Sequence, residues 1–390
     1  MNTHYSSLFI FAGEQSGDLH GSHLIKALKA RNPDAYIFGV GGPAMRDQGM
    51  VAILKMEDFE VMGFTDVILS LPKLSKMFYQ ILALILDKVP KVVLLIDYPG
   101  FNLRLAKALR KHGFRGKIVQ YVCPSVWAHG RKRIKHMAET LDLLLTILPF
   151  EPGYFNGSGL RAIYIGNPLQ EYIKTYHYRG DWKNALGIPV ADPLIALFPG
   201  SRQGEVHRNL PAILEAAERL KIEQGNVCFA ISCAHSSTSV FAKDILLRSP
   251  LKIDRDIFFV PKQYTYEMMR DSHAAVAKSG TVTLELALHR CPTVVIYKLT
   301  WLNRLVAKWI LRLNLPHYAL ANILAGHSVF PELIEQGFSA KNIHAQLKML
   351  FNDTSERKIC LEGCDMIKAL LKDNEASQEG AMKVEELLLC

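Results

Sequence analysis

The chain has 390 residues, long enough for two domains of ordinary size. Apolar residues make up 49% of it and charged residues 21%, a globular composition that excludes a disordered chain. Its net charge of +9 suits nucleic acid, an anionic membrane surface or phosphorylated substrates, and charge by itself does not choose among them.

Apolar β-like runs alternate with helical patterns from end to end, which predicts an α/β chain of parallel sheets with helical crossovers. In the first half, strands are expected at Leu8–Ala12, Tyr36–Val40, Val92–Ile96, Lys117–Val122, Leu143–Ile147 and Ile163–Ile165. Helices are expected at His20–Arg31, Lys73–Leu86, Leu103–His112 and Arg131–Ala138. The N-terminus has no basic leader or long apolar core and reads as a strand, not a signal peptide. No apolar run approaches the roughly 20 residues that cross a bilayer.

The first strand feeds Gly13-Glu-Gln-Ser-Gly-Asp18. Gly13 and Gly17 permit a tight turn with close backbone approach. The turn is acidic, which disfavours phosphate and suits sugar hydroxyls, with Glu14, Ser16 and Asp18 at the mouth of a site or capping the helix. Val61 to Tyr79 mixes large apolar residues with Lys73 and Lys76. It reads either as a core-facing helix or as a face that dips into a membrane with lysines at headgroup level.

The run Val92–Ile96 ends at Asp97-Tyr-Pro-Gly-Phe-Asn102. A carboxylate at the carboxyl end of a strand, in a Pro/Gly loop beside aromatics, is placed to act as a general base, and partial burial raises its pKa toward the useful range. After the next strand, Trp127 can stack on a sugar. Arg131, Lys132 and Arg133 either meet phosphate or lipid headgroups or form a solvated helix start.

The polar stretch Asn167 to Asp192, with Pro168, Gly180, Gly187 and Pro189, breaks the rhythm and reads as an inter-domain linker. The expected division is a first Rossmann-like domain at 1–170, a linker at 171–192, a second domain at 193–355, and terminal helices at 356–390 that return to the first. The two sheets are expected to face each other across a cleft, with ligands beyond the carboxyl ends of the strands.

In the second half, strands are expected at Leu194–Phe198, Val227–Ile231, Ile257–Val260, Ala274–Ala277 and Thr293–Tyr297. The first runs into Pro199-Gly-Ser-Arg-Gln-Gly-Glu205 and then a helix. Such a turn aims backbone N–H groups and a helix dipole at an anion, and Arg202 adds a forked cation suited to phosphate. The device recurs at Lys278-Ser-Gly-Thr281, with Glu285 on the following helix. A carboxylate there suits the paired hydroxyls of a ribose. Two phosphate turns, Gly200, Ser201 and Arg202 with Ser279, Gly280 and Thr281, plus Glu285 point to a nucleoside diphosphate.

Asp254-Arg-Asp256 precedes a strand instead of ending one and reads as a solvated turn, so no obligatory divalent metal or other cofactor is expected. Trp301 to Leu315 is a second amphipathic stretch, read as core-facing or membrane-facing. The seven cysteines are odd in number and form no CxxC pair, which suits reduced structural thiols in a cytosolic protein. Cys360 and Cys364 lie one helical turn apart without partners for zinc.

Taken in order, Gly13–Asp18, Val61-Met-Gly63, Ile96–Asn102, Pro124-Ser-Val-Trp-Ala128, Leu148-Pro-Phe-Glu151, Pro199–Arg202 with Glu205, Ser279–Thr281 with Glu285, and Asn322-Ile-Leu-Ala-Gly326 make the chain resemble the lipid-A-disaccharide synthases, bacterial glycosyltransferases, over nearly its whole length. The resemblance implies two Rossmann-like domains of the GT-B type. It implies transfer from UDP-2,3-diacylglucosamine to 2,3-diacylglucosamine 1-phosphate, giving a β-1,6-linked disaccharide phosphate and UDP at the cytoplasmic face of the inner membrane. It implies Asp97 as base and Glu14 as a further acid. It places Arg202 at the donor diphosphate, Ser279 to Thr281 and Glu285 in the nucleotide region, and Asn322 at the cleft. Ser16, Asp18, Asn102 and Trp127 fall to the acceptor. Two departures stand out: Gly166-Asn167-Pro168 replaces the family's Gly-His-Pro, and His129-Gly130 replaces its aromatic after Ala128. A UDP-sugar epimerase shares the two-domain layout and is the rival enzyme. A nucleic-acid binder would need a basic stripe with interleaved aromatics, which is absent from the sequence. A membrane scaffold would not need Asp97 beside phosphate turns.

Overall fold

The computed structural model describes residues 7–59, 64–128, 130, 132–232, 236–298 and 316–389. Its contacts divide into two units, Met1–Glu171 with Asp373–Cys390, and Tyr172–Lys372.

The first unit holds seven parallel strands: β1 (Ser7–Ala12), β2 (Tyr36–Gly41), β3 (Val51–Lys55), β4 (Val92–Ile96), β5 (Lys117–Tyr121), β6 (Leu143–Thr146) and β7 (Arg161–Tyr164). Their order in the sheet is 3-2-1-4-5-6-7. Helices α1 (Gln15–Arg31), α2 (Pro43–Asp47), α3 (Phe64–Lys88), α4 (Pro99–Lys111) and α5 (Lys132–Thr140) connect them. β1 is apolar at every position after Ser7 and its successive side chains point to opposite faces, so both faces of the sheet are covered. Leu8, Ile10 and Ala12 pack with Leu24 and Ile25 of α1. Phe9 and Phe11 point the other way, into a core with Met77, Ile81 and Ile85 of α3 and Leu105 and Leu109 of α4.

Helix α6 (Pro168–Thr175) carries the chain across the division at Glu171. The second unit contains α7 (Trp182–Ala185) and six parallel strands: β8 (Leu194–Phe198), β9 (Cys228–Ser232), β10 (Ile257–Val260), β11 (Ala274–Lys278), β12 (Thr293–Tyr297) and β13 (Glu332–Ile334). Their order is 10-9-8-11-12-13. Its helices are α8 (Gln203–Gln224), α9 (Ser236–Leu246), α10 (Thr265–Asp271), α11 (Val282–Leu288), α12 (Leu320–Ala325), α13 (Ala340–Phe351) and α14 (Ser355–Leu370). The last helix, α15 (Ala376–Leu389), belongs to the first unit, where it packs on α1 and gives Ala381, Val384 and Leu388 to the core.

Two boundaries differ from expectation. The polar stretch read as a linker is mostly a packed part of the second unit: Trp182 is fully buried with Ile188 and Leu194, and its indole Nε1 donates to Asp271 at 2.7 Å. The terminal helices divide, since α14 stays in the second unit, with Cys360, Cys364 and Ile367 buried. Among the described residues, no helix is long and apolar enough to cross a membrane. Val61 to Gly63, His129, Arg131 and Trp301 to Leu315 lie outside the described residues, as do the side chains of 64–71.

Candidate functional site

Each sheet reverses its strand order once, between β1 and β4 in the first and between β8 and β11 in the second. Crevices beyond the carboxyl ends of such strand pairs are where open α/β sheets bind ligands. Each unit has a cavity there.

In the first unit, β1 delivers Glu14 and β4 delivers Asp97 to a cavity of about 640 Å³. Its wall is largely aromatic and apolar, with Leu74, Phe78, Tyr79, Tyr98, Pro99 and Phe101, while Glu14, Ser75, Asp97 and Arg104 are its polar members. The rings brace one another. Phe101 stacks on Phe11 at 4.7 Å and meets Phe78 edge-on at 5.4 Å.

The backbone at Asp97 is unusual. Asp97 and Tyr98 both take positive φ, +48° and +42°, where non-glycine residues are uncommon. Pro99 then opens α4 at its first position. The loop is tied down from beneath. The Asp97 N–H donates to the Tyr121 carbonyl at 2.8 Å. The Asp97 carbonyl accepts from Asn102 Nδ2 at 2.5 Å and Gln120 Nε2 at 3.0 Å. So held, the half-buried Asp97 carboxylate meets the Ser16 hydroxyl at 3.4 Å. Burial raises its pKa above the usual aspartate value, against the opposing pull of the Tyr98 amide and the Ser16 hydroxyl.

Not every residue expected beside Asp97 reaches this cavity. Asp18 is buried and accepts from the amides of Gly42, Ala44 and Met45 at 2.8–3.1 Å, so its carboxylate is committed to the start of α2 and not to a ligand. Asn102 is fully buried and holds the loop from behind instead of contacting a ligand. Trp127 packs edge-on against Phe150 at 6.0 Å and does not line this cavity. Glu14 and Ser16 are exposed at the start of α1, which begins at Gln15, five residues before the expected start.

In the second unit, both glycine turns open on one cavity of about 440 Å³, lined by Gly200, Ser201, Glu205, Lys262, Lys278, Ser279, Gly280, Thr281 and Glu285 among others. The first turn is held at Gly200, with φ +133°, by Asn209 Nδ2 donating to the Pro199 carbonyl at 2.7 Å. Its amides are not vacant. Glu205 accepts from the N–H of Ser201 at 3.0 Å and of Arg202 at 3.4 Å, and pairs with Lys278 Nζ at 3.2 Å. Burial pushes the Glu205 pKa up, but Lys278 and the two amides outweigh it and hold the carboxylate below its usual range.

At the second turn, the Ser279 hydroxyl donates to the Tyr318 carbonyl at 2.7 Å. The amides of Gly280 and Thr281 donate to no group among the described residues. Glu285 lines the same cavity and accepts from Tyr266 at 3.0 Å; burial raises its pKa and that hydrogen bond opposes the rise. Two expected donor contacts lie elsewhere. Arg202 is exposed and outside the lining. Asn322 is fully buried; it accepts from the amides of Val329 and Phe330 and donates to the Phe330 carbonyl and Glu332, which leaves nothing for a ligand.

Sequence reasoning missed Arg104 and Lys262 as lining residues. Arg104 lies seven residues beyond Asp97, on α4's face toward the cavity, and no local pattern marks it. Lys262 precedes α10 and reaches the cavity only through the sheet topology. The described cysteines in both units are buried, and burial pushes Cys228 up to about 11 and Cys291 and Cys360 up to about 12, where thiols stay protonated and inert.

Residues 8–385 match the family model described as lipid-A-disaccharide synthetase. The lipid-A-disaccharide synthase of Geobacter sulfurreducens is 32% identical over 381 residues, covering 98% of this chain and 97% of that protein. The lipid-A-disaccharide synthase of Chlamydia trachomatis serovar D is 40% identical over 359 residues, covering 90% of this chain. The chain spans only 58% of the length of that chlamydial relative. Among solved structures, the UDP-GlcNAc 2-epimerase from Neisseria meningitidis bound to UDP-GlcNAc superposes with a TM-score of 0.62, covering 98% of this chain and 99% of that one. At 11% identity, that likeness speaks for the two Rossmann-like sheets alone.

Proposed function

The chain belongs to the lipid-A-disaccharide synthetase family, and we propose that it is an inverting glycosyltransferase that joins UDP-2,3-diacylglucosamine to 2,3-diacylglucosamine 1-phosphate, releasing UDP. The observation that carries the reading is Asp97. Its carboxylate is half-buried, its pKa is raised, and it stands at the strand-order reversal of the first sheet on a largely apolar cavity. An acid in that setting can take a proton from an alcohol, and aromatic walls suit an acceptor that carries acyl chains.

The acceptor's 6-hydroxyl gives its proton to Asp97 as its oxygen attacks the donor's anomeric carbon. The new C–O bond forms on the face opposite UDP, the bond from the anomeric carbon to the diphosphate oxygen breaks, and α becomes β. The negative charge that develops on UDP needs cationic and amide partners. Lys278, Lys262 and the amides of Gly280 and Thr281 are the groups of the second cavity that suit it. The first turn contributes less than its sequence promised, because Glu205 holds the Ser201 and Arg202 amides. Arg202 is left as an exposed cation at the rim of that turn. Glu285 suits the ribose hydroxyls, Glu14 is a second acid beside Asp97, and Ser16 orients the base.

The reading includes attachment to the cytoplasmic face of the inner membrane, supported by the net charge of +9 and by the stretch Val61 to Tyr79, which mixes large apolar residues with Lys73 and Lys76. It includes neither a metal nor a nucleic-acid partner. Purified protein given UDP-diacylglucosamine with and without the monosaccharide phosphate tests the function. Disaccharide and UDP should form together and only when both substrates are present. Conversion of the donor alone would instead establish an epimerase.

A further inference from the structure

Glu285 is not alone at its cavity. Its Oε1 accepts from the hydroxyl of Tyr266, on α10, at 3.0 Å. The Tyr266 ring is locked in place by its neighbours. It lies 5.0 Å from the His289 ring, 5.0 Å from Tyr176 and 5.7 Å from Tyr172. His289 follows Glu285 by one helical turn. Its Nδ1 lies 2.7 Å from the Glu285 carbonyl, which can only accept, so Nδ1 carries the hydrogen. Nε2 is then the acceptor for the Tyr178 hydroxyl at 2.9 Å. Tyr178 in turn lies under the Arg270 guanidinium, 4.5 Å from its ring centre. From the same stretch, the Tyr176 hydroxyl and the Arg179 amide both donate to the buried Glu267. The stretch read from sequence as a linker is thus a clamp of tyrosines behind the carboxylate.

We infer that Tyr266 is a positioning residue for nucleotide recognition: its hydroxyl occupies one oxygen of Glu285 and leaves the other directed at the vicinal hydroxyls of a ribose. This inference rests on the donor reading of the second cavity. A carboxylate that accepts from paired hydroxyls must be ionised and must not rotate away, and a rigid phenol meets both needs. Buried carboxylates drift toward protonation, and a hydrogen bond to the charged form opposes the drift. Among the described residues, the charged and titratable groups near Glu285 are Tyr266, which touches it, with Tyr172, Tyr176, Tyr178 and His289 behind that ring, and Glu205, Lys262 and Lys278 lining the same cavity. Burial lowers the His289 pKa below its ordinary value, so at neutral pH it supplies no charge that could replace the phenol.

Calorimetry of UDP binding to the full chain tests the inference, using wild type, Tyr266→Phe, Glu285→Gln and the double variant. Phenylalanine keeps the ring packing, and thermal melts check that each variant is folded. Tyr266→Phe should weaken UDP binding about tenfold at neutral pH, the scale of one hydrogen bond to a charged group. The fall in affinity on acidification should begin at a higher pH than in wild type, because the lost hydrogen bond had held the Glu285 pKa down. In the Glu285→Gln background, the tyrosine substitution should cost almost nothing further. Unchanged UDP affinity and pH profile in Tyr266→Phe, with Glu285→Gln weakened, would overturn the positioning role and leave the donor reading intact. Equal, additive losses in both backgrounds would reduce Tyr266 to packing. Wild-type protein that binds no UDP would overturn the donor reading and this inference with it.

Discussion

Replacing Asp97 with asparagine isolates its proton chemistry from its place in the fold. Asparagine is nearly isosteric and tolerates positive φ at least as well as aspartate, so the backbone at +48° is not the variable. The backbone ties to Tyr121, Asn102 and Gln120 do not involve the side chain and should persist. Only the proton acceptor is lost. A positioned general base contributes about 100- to 10,000-fold, so kcat should fall about 1,000-fold, or about 4 kcal/mol of barrier. UDP affinity by calorimetry should stay the same, since the cavity proposed for the nucleotide is built wholly from the second unit. Wild-type kcat should rise as pH climbs through the Asp97 pKa, which burial sets above the ordinary aspartate value.

The stability sign runs opposite to activity. A carboxylate with a raised folded pKa binds its proton more tightly in the native state. The fold therefore loses stability as pH rises from the unfolded value through the folded one. Asp97→Asn should melt at or above the wild-type temperature at neutral pH, and that advantage should vanish in acid below the unfolded pKa. An Asp97→Asn enzyme that is folded and within about tenfold of wild-type kcat would refute the base role.

Lys278→Ala should weaken UDP binding by at least about tenfold, on the scale of a charge-assisted hydrogen bond, and by more than Arg202→Ala does, because Lys278 lines the cavity and Arg202 does not; calorimetry giving the reverse order would return the phosphate to the first turn. Asp18→Ala removes the acceptor of three amides and should cost about 3 kcal/mol, lowering Tm by about 6–12 °C, with a negligible change counting against its anchoring role. Treatment with EDTA should leave disaccharide synthesis intact, and loss of activity restored by magnesium would contradict metal-free departure of UDP.

The fold was legible because its strands are buried on both faces. Val92–Ile96, Leu194–Phe198, Ile257–Val260 and Thr293–Tyr297 are short apolar runs, and their limits could be read directly. The strands overlooked are of another kind. Edge strand β3 alternates exposed Val51, Ile53 and Lys55 with half-buried Ala52 and Leu54, and edge strand β13 is only three residues long. Helix starts were read late wherever functional loop and helix overlap: α1 begins inside the Gly13–Asp18 turn, and α4 begins at Pro99 within the Asp97 loop. At the site, sequence order located Asp97, Glu14, Ser279 to Thr281 and Glu285 on cavities. It could not separate a carboxylate or amide that faces a ligand from one that serves the backbone, because that choice is made by three-dimensional neighbours. Asp18 beside Gly42 and Asn322 beside Phe330 are two such cases.

The Asp97 loop also carries costs that packing alone would not select. Two consecutive non-glycine residues sit at positive φ, each worth about 1–3 kcal/mol of strain. A carboxylate is partly withdrawn from water. Beneath it, Asn102 and Gln120 are fully buried and aim their N–H2 groups at the Asp97 carbonyl, while Asn102 Oδ1 and Gln120 Oε1 find no donor among the described residues. A buried acceptor left without a partner costs about 1–3 kcal/mol. These penalties converge on one loop, and β4, which leads into it, is wholly apolar and buried and can sustain them. Strain, desolvation and unmet acceptors all act to hold a single carboxylate at a cavity mouth in a basic state, which is the arrangement proton transfer requires and one that a purely structural turn would have no reason to keep.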